Sequence, residues 1–425
     1  MNDQKYLTIK RDFLAHLLDY FDDESHKKGD IAFFKTYYEN LKIKENLPEF
    51  KLLLRLLLDI SCYHHRRLDF FSKLDQIFSF LKSDIKETLD NTEIFLLFRD
   101  QNRILLFFLM EKIFTIDRII IEKAIQLGYF KNLLYFWPEI KVILKEEQQR
   151  DPNSQFLRKM EKTLDDLSSS DYSDVEKEEE EEEEEAKEKE DFIERMENYI
   201  LMEEPDFYND LEEKRLEGEN GSRLAYLIRK DLVEEFIILV NQCNISLSNY
   251  QIKRSFFETH SRLSYTVHLI EYAIFFGSIQ IFNYLRMSDS KLYDYYFYYA
   301  IHSNSPEMIS IMEEENFYHA KSNQKNKKEY DDCLNLLKTS IRCFHNDVAE
   351  YIKDNYFDDD VLNLYNIISE AIIKNNYAFF PNNFFKKEIM RLSCKYDNVN
   401  LFKILLTDEK FKEFIGNEIF FIILF

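Results

Sequence analysis

The sequence predicts an all-α protein, and three observations carry that prediction. The 425 residues include only six glycines and six prolines, with no three glycines close together, which excludes a sheet of tight hairpins and a glycine-rich phosphate loop. Leu, Ile, Phe, Lys and Glu are abundant and compatible with helices. The stretch 267–285, VHLIEYAIFFGSIQIFNYL, reads as two short amphipathic helices joined by a tight turn at Gly277.

The first 164 residues carry apolar side chains at three- and four-residue spacing, the pattern of amphipathic helices. Helices are expected near 5–21 and 31–41. Pro48 opens a third helix, which is apolar nearly all round and therefore central in its bundle. The sequence predicts a helical domain over residues 1–164. Further helical patterns cover 67–83, 93–114, 116–127 and 129–146, with Gly128 as a C-cap between the last two.

The composition changes abruptly at residue 165. Residues 165–191 contain sixteen acidic residues against three lysines, so they supply −13 of the chain's net charge of −23. Like charges repel and little apolar surface is present to bury, so this segment is predicted to be a disordered acidic linker. Ser168 and Ser173 each precede an acidic residue by three positions, as acidophilic kinases favour, and are the candidate phosphorylation sites.

Residues 192–222 are predicted to be a connecting helical segment, and residues 223–425 a series of repeats. The template has a small residue in a first helix, a turn residue four positions later, and apolar residues eight, nine and twelve positions later. The small residue lets helices approach closely, the turn residue must tolerate a left-handed backbone, and the apolar triplet buries against the next pair. Copies start at Ala273, Ala300, Ser340, Ala371 and Ser393, and an earlier copy covers Leu227–Val240.

This template resembles the second half of the ankyrin repeat, A-A-x-x-G-H-x-x-I-V-x-x-L-L, most closely at 273–285 and 393–406. The resemblance implies an α-solenoid of degenerate ankyrin-like helix pairs over about half the chain. The chain is similar to divergent ankyrin-type proteins of some unicellular eukaryotes, in which a helical N-terminal region precedes the repeats. The T-P-L-H entry and the hairpin glycines are absent, so irregular loops are expected, and the chain could lack β-hairpin fingers.

Composition also limits the compartment and the classes of partner. The five cysteines are odd in number and scattered, as expected of free thiols in a reducing compartment. The N-terminus lacks the apolar core of a signal peptide, and the apolar runs fall far short of the ~20 residues of a membrane helix. A cytoplasmic protein without a membrane partner is predicted, with the nucleus as the alternative location. The absence of a basic stripe argues against direct nucleic-acid binding.

Few residues could carry chemistry. His64 and His65 beside Cys62 are the one metal-like cluster. Neighbouring histidines on a helix diverge by about 100°, and no second pair lies four residues away, so neither a metal nor a cofactor is predicted. No nucleophile elbow, kinase signature or H-E-x-x-H motif occurs. The sequence predicts no enzyme, and a polar pocket within residues 1–164 is the remaining alternative.

The predicted function is that of a non-catalytic scaffold or adaptor that binds another protein on the concave face of the solenoid. The alternative is a regulatory factor whose acidic tract docks a basic partner. In the ankyrin resemblance, partners contact first-helix residues near the small residue, and aromatic and arginine side chains anchor interfaces. Packing on neighbouring repeats is the competing interpretation for Phe275 and Phe276. The predicted partner-binding residues are Tyr272, Phe275, Phe276, Tyr299, His302, Thr339, Arg342, Lys395 and Tyr396.

Two further segments carry expectations. The aromatic run YDYYFYY at 293–299 straddles a loop and a first helix, so half of it is expected to be exposed. The C-terminal NEIFFIILF has no polar cap. Solenoids normally end with a repeat whose outer face is polar, so the last repeat is expected to be incomplete, as a truncated copy or as a surface that a partner covers.

Overall fold

The computed structural model describes residues 3–23, 31–67, 69–170, 192–263, 265–288, 291–315, 327–357, 364–379 and 386–395. Within these ranges the chain is mostly helical, with 74% of residues in helices and 1% in strands, which confirms the all-α prediction. It groups into two compact units, unit 1 (Met1–Asp84, Ser222–Ile252 and Thr266–Phe425) and unit 2 (Ile85–Gly221 and Lys253–Tyr265). None of the described helices combines the length and the apolar character that a membrane crossing requires.

The described helices are numbered in chain order. They are α1 (Asp3–Asp22), α2 (Ala32–Asn40), α3 (Leu47–Tyr63), α4 (Phe70–Thr88), α5 (Asn91–Phe98), α6 (Asn102–Met110), α7 (Arg118–Gln126), α8 (Phe130–Leu133), α9 (Trp137–Arg150), α10 (Gln155–Ser170), α11 (Phe192–Glu203), α12 (Leu211–Glu217), α13 (Arg223–Arg229), α14 (Val233–Gln242), α15 (Leu269–Phe276), α16 (Ile279–Met287), α17 (Tyr296–Ser303), α18 (Pro306–Glu314), α19 (Lys327–Arg342), α20 (Asn346–Tyr356), α21 (Leu364–Lys374) and α22 (Lys386–Lys395).

From residue 223 onward, unit 1 is built from consecutive helix pairs. The pairs are α13–α14, α15–α16, α17–α18 and α19–α20, and the two helices of each pair contact each other. The first helices also contact in series, from α13 through α15, α17 and α19 to α21. Each pair therefore buries its apolar face against the next one, the arrangement expected of short helices that cannot form a core alone.

The turn inside each pair follows the predicted template. We call the first position of the template, which is a small residue in most copies, the lead residue. The residue four positions after it has a positive φ in every copy whose turn is described, namely Asp231 (51°), Gly277 (67°), Asn304 (53°), Phe344 (62°) and Asn375 (55°). In four copies the following N–H donates to the carbonyl of the lead residue at 2.9–3.0 Å, as from Ser278 to Ala273 and from His345 to Ser340. This bond closes a helix through a left-handed residue. The prediction of a left-handed turn is confirmed, even where the residue is phenylalanine.

The lead and triplet positions of the template are buried. Ala273, Ala300, Ser340 and Ala371 have no exposed surface, which is where a larger side chain would separate the helices. The triplet of the best copy, Ile281, Phe282 and Leu285, is likewise fully buried, as are Met308 and Met312 of the next. The copy at Ser393 reaches its turn at Asp397, which lies outside the described residues, as does the C-terminal strip 417–425.

A two-stranded antiparallel ladder precedes α15. Strand β1 (Gln251–Ile252) pairs with β2 (Val267–His268), with Ile252 opposite Val267. The main-chain N–H of His268 donates to the Glu271 carboxylate at 2.6 Å, so the strand passes directly into a capped helix. Residues 253–266, rather than a tight turn, separate the two strands, so the ladder is not a hairpin finger and the expectation that such fingers are absent stays a prediction.

The two units do not follow the boundaries expected at residues 164 and 223. Unit 1 includes the first 84 residues, whereas the acidic tract lies between two helices of unit 2. Those helices, α10 and α11, contact each other, and Arg195 donates to Asp165 at 2.6 Å. The tract from 171 to 191, with Ser173, and the side chain of Ser168 lie outside the description. A change in composition does not reveal which helices pack together on either side of it.

Most predicted N-terminal helices are present, and Pro48 lies in the first turn of α3 as expected. The exception is the single helix expected over 93–114, which forms α5 and α6 with a turn between them. No glycine or proline marks this break. The capping box of Asp90 with Glu93 places the start of α5, and Gln101, which is buried, precedes α6.

The core of unit 2 surrounds Trp137, which is fully buried and donates from Nε1 to the Tyr208 hydroxyl at 3.1 Å. The buried guanidinium of Arg215 pairs with Glu139 at 2.6 Å, and the Tyr135 hydroxyl donates to the Arg215 carbonyl. The segment 253–265 joins this unit through Thr259, which donates to the Gly218 carbonyl at 2.7 Å.

Gly277→Ala is expected to lower the stability of unit 1 by about 1–2 kcal/mol, the cost of a left-handed backbone at a residue with a Cβ. An added Cβ meets only Ser303 and Ser305, at an ordinary 3.5 Å, so the backbone sets the cost. Gly128→Ala in unit 2 is the matched control, because its φ is +74° and no atom lies within 4 Å of an added Cβ. Urea unfolding followed by circular dichroism should give similar losses, and a negligible loss for Gly277→Ala would contradict the turn geometry.

Candidate functional site

Four of the nine predicted partner-binding residues are buried in unit 1. Tyr272, Phe275, His302 and Thr339 each expose less than a twentieth of their surface. Phe276, Tyr299 and Arg342 are half-buried and Lys395 is exposed, while Tyr396 lies outside the described residues. The burial removes the first four from any surface that a partner could contact in this conformation.

The buried residues pack on their neighbours in the helix series. The ring of Phe275 stacks on that of His302, with centroids 4.0 Å apart and planes at 20°. Arg229 donates to the Tyr272 hydroxyl at 3.2 Å, which ties α13 to α15. Packing on neighbouring repeats, the competing interpretation for Phe275, therefore describes this residue. The predicted face was assigned from the ankyrin resemblance, by position relative to the small residue, and position in the sequence does not show what lies against a face.

The chain's own N-terminal helices contact the last helix pairs within unit 1. Lys374 of α21 pairs with Asp59 of α3 at 2.8 Å, and its amine lies 4.1 Å from the centre of the Tyr63 ring. Arg11 of α1 donates to the Tyr377 carbonyl at 3.0 Å. Arg342, half-buried beside them, donates to Glu370 at 2.9 Å. The contacts of Lys374 and Arg11 join residues more than 300 positions apart in the sequence.

Three histidines converge where the end of α3 meets the turn between α19 and α20. The ring centroids of His64, His65 and His345 lie 4.4–5.1 Å from one another. One ring nitrogen of each lies within 4.8 Å of the corresponding nitrogens of the other two. His64 and His345 are buried and His65 is nearly so. Among the described residues these three histidines, without Cys62, form a group able to hold a metal ion.

Backbone carbonyls define which nitrogens of this cluster carry hydrogen. His64 Nδ1 lies 2.9 Å from the Cys343 carbonyl, and His345 Nε2 lies 3.2 Å from the His302 carbonyl. A carbonyl oxygen only accepts, so both of these nitrogens donate. His345 Nδ1 consequently carries a lone pair, and it is buried without a hydrogen-bond partner in the described structure.

Asp22, the last residue of α1, brings a carboxylate to the cluster. Its Oδ1 lies 2.9 Å from His64 Nε2 and 3.2 Å from His65 Nε2. The contact with His64 has hydrogen-bond geometry, whereas the contact with His65 is close but is not aligned as a hydrogen bond. Asp22 remains about a third exposed, so the cluster has one side open to solvent.

Burial dominates the electrostatics of the cluster. Burial, followed by the neighbouring imidazoles of His64 and His345, holds the pKa of His65 well below its usual value. Burial and the His64 ring hold the pKa of His345 well below its usual value in the same way. Both rings are therefore neutral near pH 7, the form in which an imidazole binds a metal.

Sequence reasoning noticed His64 and His65 but did not connect them with His345. The doublet has no second pair of ligands four residues away, and His345 lies 280 positions beyond His65. His345 occupies the position after the turn residue in its repeat. At the same position Ser278 donates to the Ile228 carbonyl and Asn376 to the Ile341 carbonyl, both in the preceding pair. A side chain at this position of the template therefore contacts the preceding helix pair. The template does not reveal that His345 meets two other histidines there.

Exposed aromatic rings lie at the start of α17. Tyr293 and Tyr295 are 49% and 42% exposed, and their rings stack 5.8 Å apart at 15°. Together with the half-buried Tyr299 they surround the buried ring of Tyr296, at 4.6–6.5 Å between centroids. The expectation that half of the run at 293–299 is exposed is confirmed. We call Tyr293, Tyr295 and Tyr299 the tyrosine face.

No protein-family model matches the chain, and comparison with curated proteins and with solved structures gives no significant match.

Proposed function

We propose that this chain is a non-catalytic protein-interaction module, a scaffold or adaptor, whose helix pairs form an ankyrin-like solenoid. The serial contacts of α13, α15, α17, α19 and α21, and the left-handed turn in each copy, support the solenoid assignment. Such arrays present extended surfaces to partners. The location of the partner surface differs from the sequence-based expectation, because four of the predicted residues are buried.

The observation that carries the proposal is the tyrosine face. The Tyr295 hydroxyl donates to Glu271 at 2.8 Å, so its exposed ring is held in one orientation. Rigid tyrosines supply a large contact area at a low cost in conformational entropy. Half-exposed, ordered aromatic rings are costly to leave in water and are typical of interface anchors. Tyr299 belongs to both this face and the originally predicted set.

The test is affinity capture with the tagged full chain, compared between matched variants. Tyr293→Ala combined with Tyr295→Ala should reduce recovery of a specific partner at least about tenfold, because a central interface tyrosine contributes about 2 kcal/mol. Tyr365→Ala, at a ring of similar exposure (41%), is the control and should retain the partner. The proposal fails if every captured protein is recovered equally with both.

The same experiment separates the alternative function. If the acidic tract docks a basic partner, deletion of residues 171–191 should abolish recovery while the double tyrosine variant retains it. The interaction-module proposal expects the reverse, because the tyrosine face belongs to unit 1 and the tract lies between helices of unit 2.

A further inference from the structure

We propose that His64, His65, His345 and Asp22 form a site for a divalent transition-metal ion, for which Zn²⁺ is the best fit. The three ring nitrogens and the carboxylate make an N₃O donor set. Imidazole suits zinc, copper, nickel and iron, and a tetrahedral histidine and carboxylate set is typical of zinc. The proposal does not depend on the interaction function, because every ligand is an internal residue of unit 1.

The separations of the Asp22 carboxylate from two of the histidines are close to those of a tetrahedral site. Zinc bonds to nitrogen and oxygen are about 2.0–2.2 Å long, so ligand atoms in a tetrahedron lie roughly 3.3–3.5 Å apart. Asp22 Oδ1 is 2.9 Å and 3.2 Å from the Nε2 atoms of His64 and His65. The three imidazole nitrogens all lie within 4.8 Å of one another. The group within 4.8 Å consists of the three histidines, and Asp22 joins it through its two short contacts with His64 and His65.

The hydrogen bonds that His64 and His345 make through their other ring nitrogen match those of metal ligands. A ligating histidine usually donates its other ring N–H to a carbonyl or carboxylate, which sets the tautomer and orients the ring. His64 Nδ1 does so to Cys343 O and His345 Nε2 to His302 O. These bonds leave His64 Nε2 and His345 Nδ1 as the ligand atoms, and His345 Nδ1 is the buried nitrogen that has no hydrogen-bond partner in the described structure.

A packed cluster without an ion is the competing account. It explains His345 Nε2, whose bond to the preceding pair is shared by Ser278 and Asn376. It also gives both ring nitrogens of His64 a partner, the Cys343 carbonyl and the Asp22 carboxylate. It leaves His345 Nδ1 buried and unsatisfied, which is costly. An ion would bind the lone pairs of His64 Nε2, His345 Nδ1 and the Asp22 carboxylate at once.

Four protein ligands leave no open coordination position, so the site is structural rather than catalytic. The ligands come from the end of α1, the end of α3 and the turn after α19. The ion would therefore connect the N-terminal helices to the helix pairs within unit 1. The partial exposure of Asp22 provides the route by which an ion enters.

The experiment titrates ZnSO₄ into the chelator-treated full chain and measures binding by calorimetry, with metal analysis after gel filtration. One Zn²⁺ should bind tightly and raise the unfolding temperature. His345→Gln and His64→Gln should each weaken binding about 100-fold, and Asp22→Asn about tenfold. His16→Gln, at an exposed histidine of α1, should bind as the wild type does.

Two readouts keep the proposal open to refutation if a histidine variant fails to fold. Co²⁺ added to the unmodified chain should give the strong visible absorption bands of a tetrahedral site, and their absence overturns the proposal. Weak binding of Zn²⁺ that is equal in the wild type, Asp22→Asn and His16→Gln overturns it as well, because such binding belongs to surface carboxylates.

Discussion

Unit 1 is expected to unfold between about pH 10 and pH 12, well before a typical helical domain does. Five of its tyrosines, Tyr20, Tyr37, Tyr38, Tyr296 and Tyr356, are buried. Burial, aided by the Asp69 carboxylate, raises the pKa of Tyr20 to about 12, and burial is the first cause of the pKa of about 12 at Tyr296. Burial also raises the pKa of each of the other three above its usual value of 10.

The sign follows from proton counts. Above pH 10 the unfolded chain loses phenolic protons that the folded unit keeps, so the unfolded state binds fewer protons and the free energy of unfolding falls as pH rises. One such group contributes up to about 1.4 kcal/mol per pH unit. The five together contribute about 3–7 kcal/mol per pH unit, where the lower figure allows for solvent screening. Total stabilities are only about 5–15 kcal/mol.

The measurement is urea unfolding at pH 8, 9, 10 and 11, combined with hydrogen exchange resolved by segment. Exchange in α2 and α17 should rise steeply above pH 10 after correction for the intrinsic rate. Tyr296→Phe should flatten the pH dependence, and Tyr265→Phe, at a ring that is 75% exposed, is the control. A free energy of unfolding that is constant from pH 9 to pH 11 would contradict the burial of these phenols.

The features that could be predicted from sequence are those that depend on contacts a few residues apart. Gly277 suggested a left-handed turn, and the spacing transferred that turn to Asn304 and Asn375, whose residue type tolerates it. The same spacing holds at Phe344, which would not be chosen for such a turn by residue type. A helix closed by a bond from the next N–H back to the lead carbonyl is a local structure. Its signal therefore survives in a single sequence.

The features that could not be predicted depend on contacts far apart in the chain. Segments separated by about 300 residues are joined by the contacts of Lys374 with Asp59 and of His345 with His64. No periodic pattern in the sequence reveals such pairs. The same limit explains why four of the predicted partner-binding residues are buried. The ankyrin resemblance placed Phe275 on the partner-binding face, but only the fold shows that the His302 ring covers it.

The buried pair of Lys10 and Glu49 is expected to give the largest effect of a single substitution. Both side chains are at most 5% exposed and in direct contact, and the Tyr6 hydroxyl donates to the same carboxylate at 2.9 Å. The Lys10 amine also lies 5.3–5.6 Å from the ring centres of Tyr6, Tyr37 and Tyr377. Burial lowers the pKa of Lys10 to about 7.

Lys10→Met should lower the stability of unit 1 by about 3–5 kcal/mol, because it leaves the Glu49 carboxylate buried without a counter-charge. Adding Glu49→Gln should recover most of that loss, since the amide carries no charge and its oxygen still accepts from Tyr6. Arg286→Met, which breaks the exposed pair with Glu315, is the control and should cost at most about 1 kcal/mol. Because two units need not unfold together, the free energies should be read from hydrogen exchange in α1 and α3. Equal losses for Lys10→Met and Arg286→Met would show that water reaches Glu49.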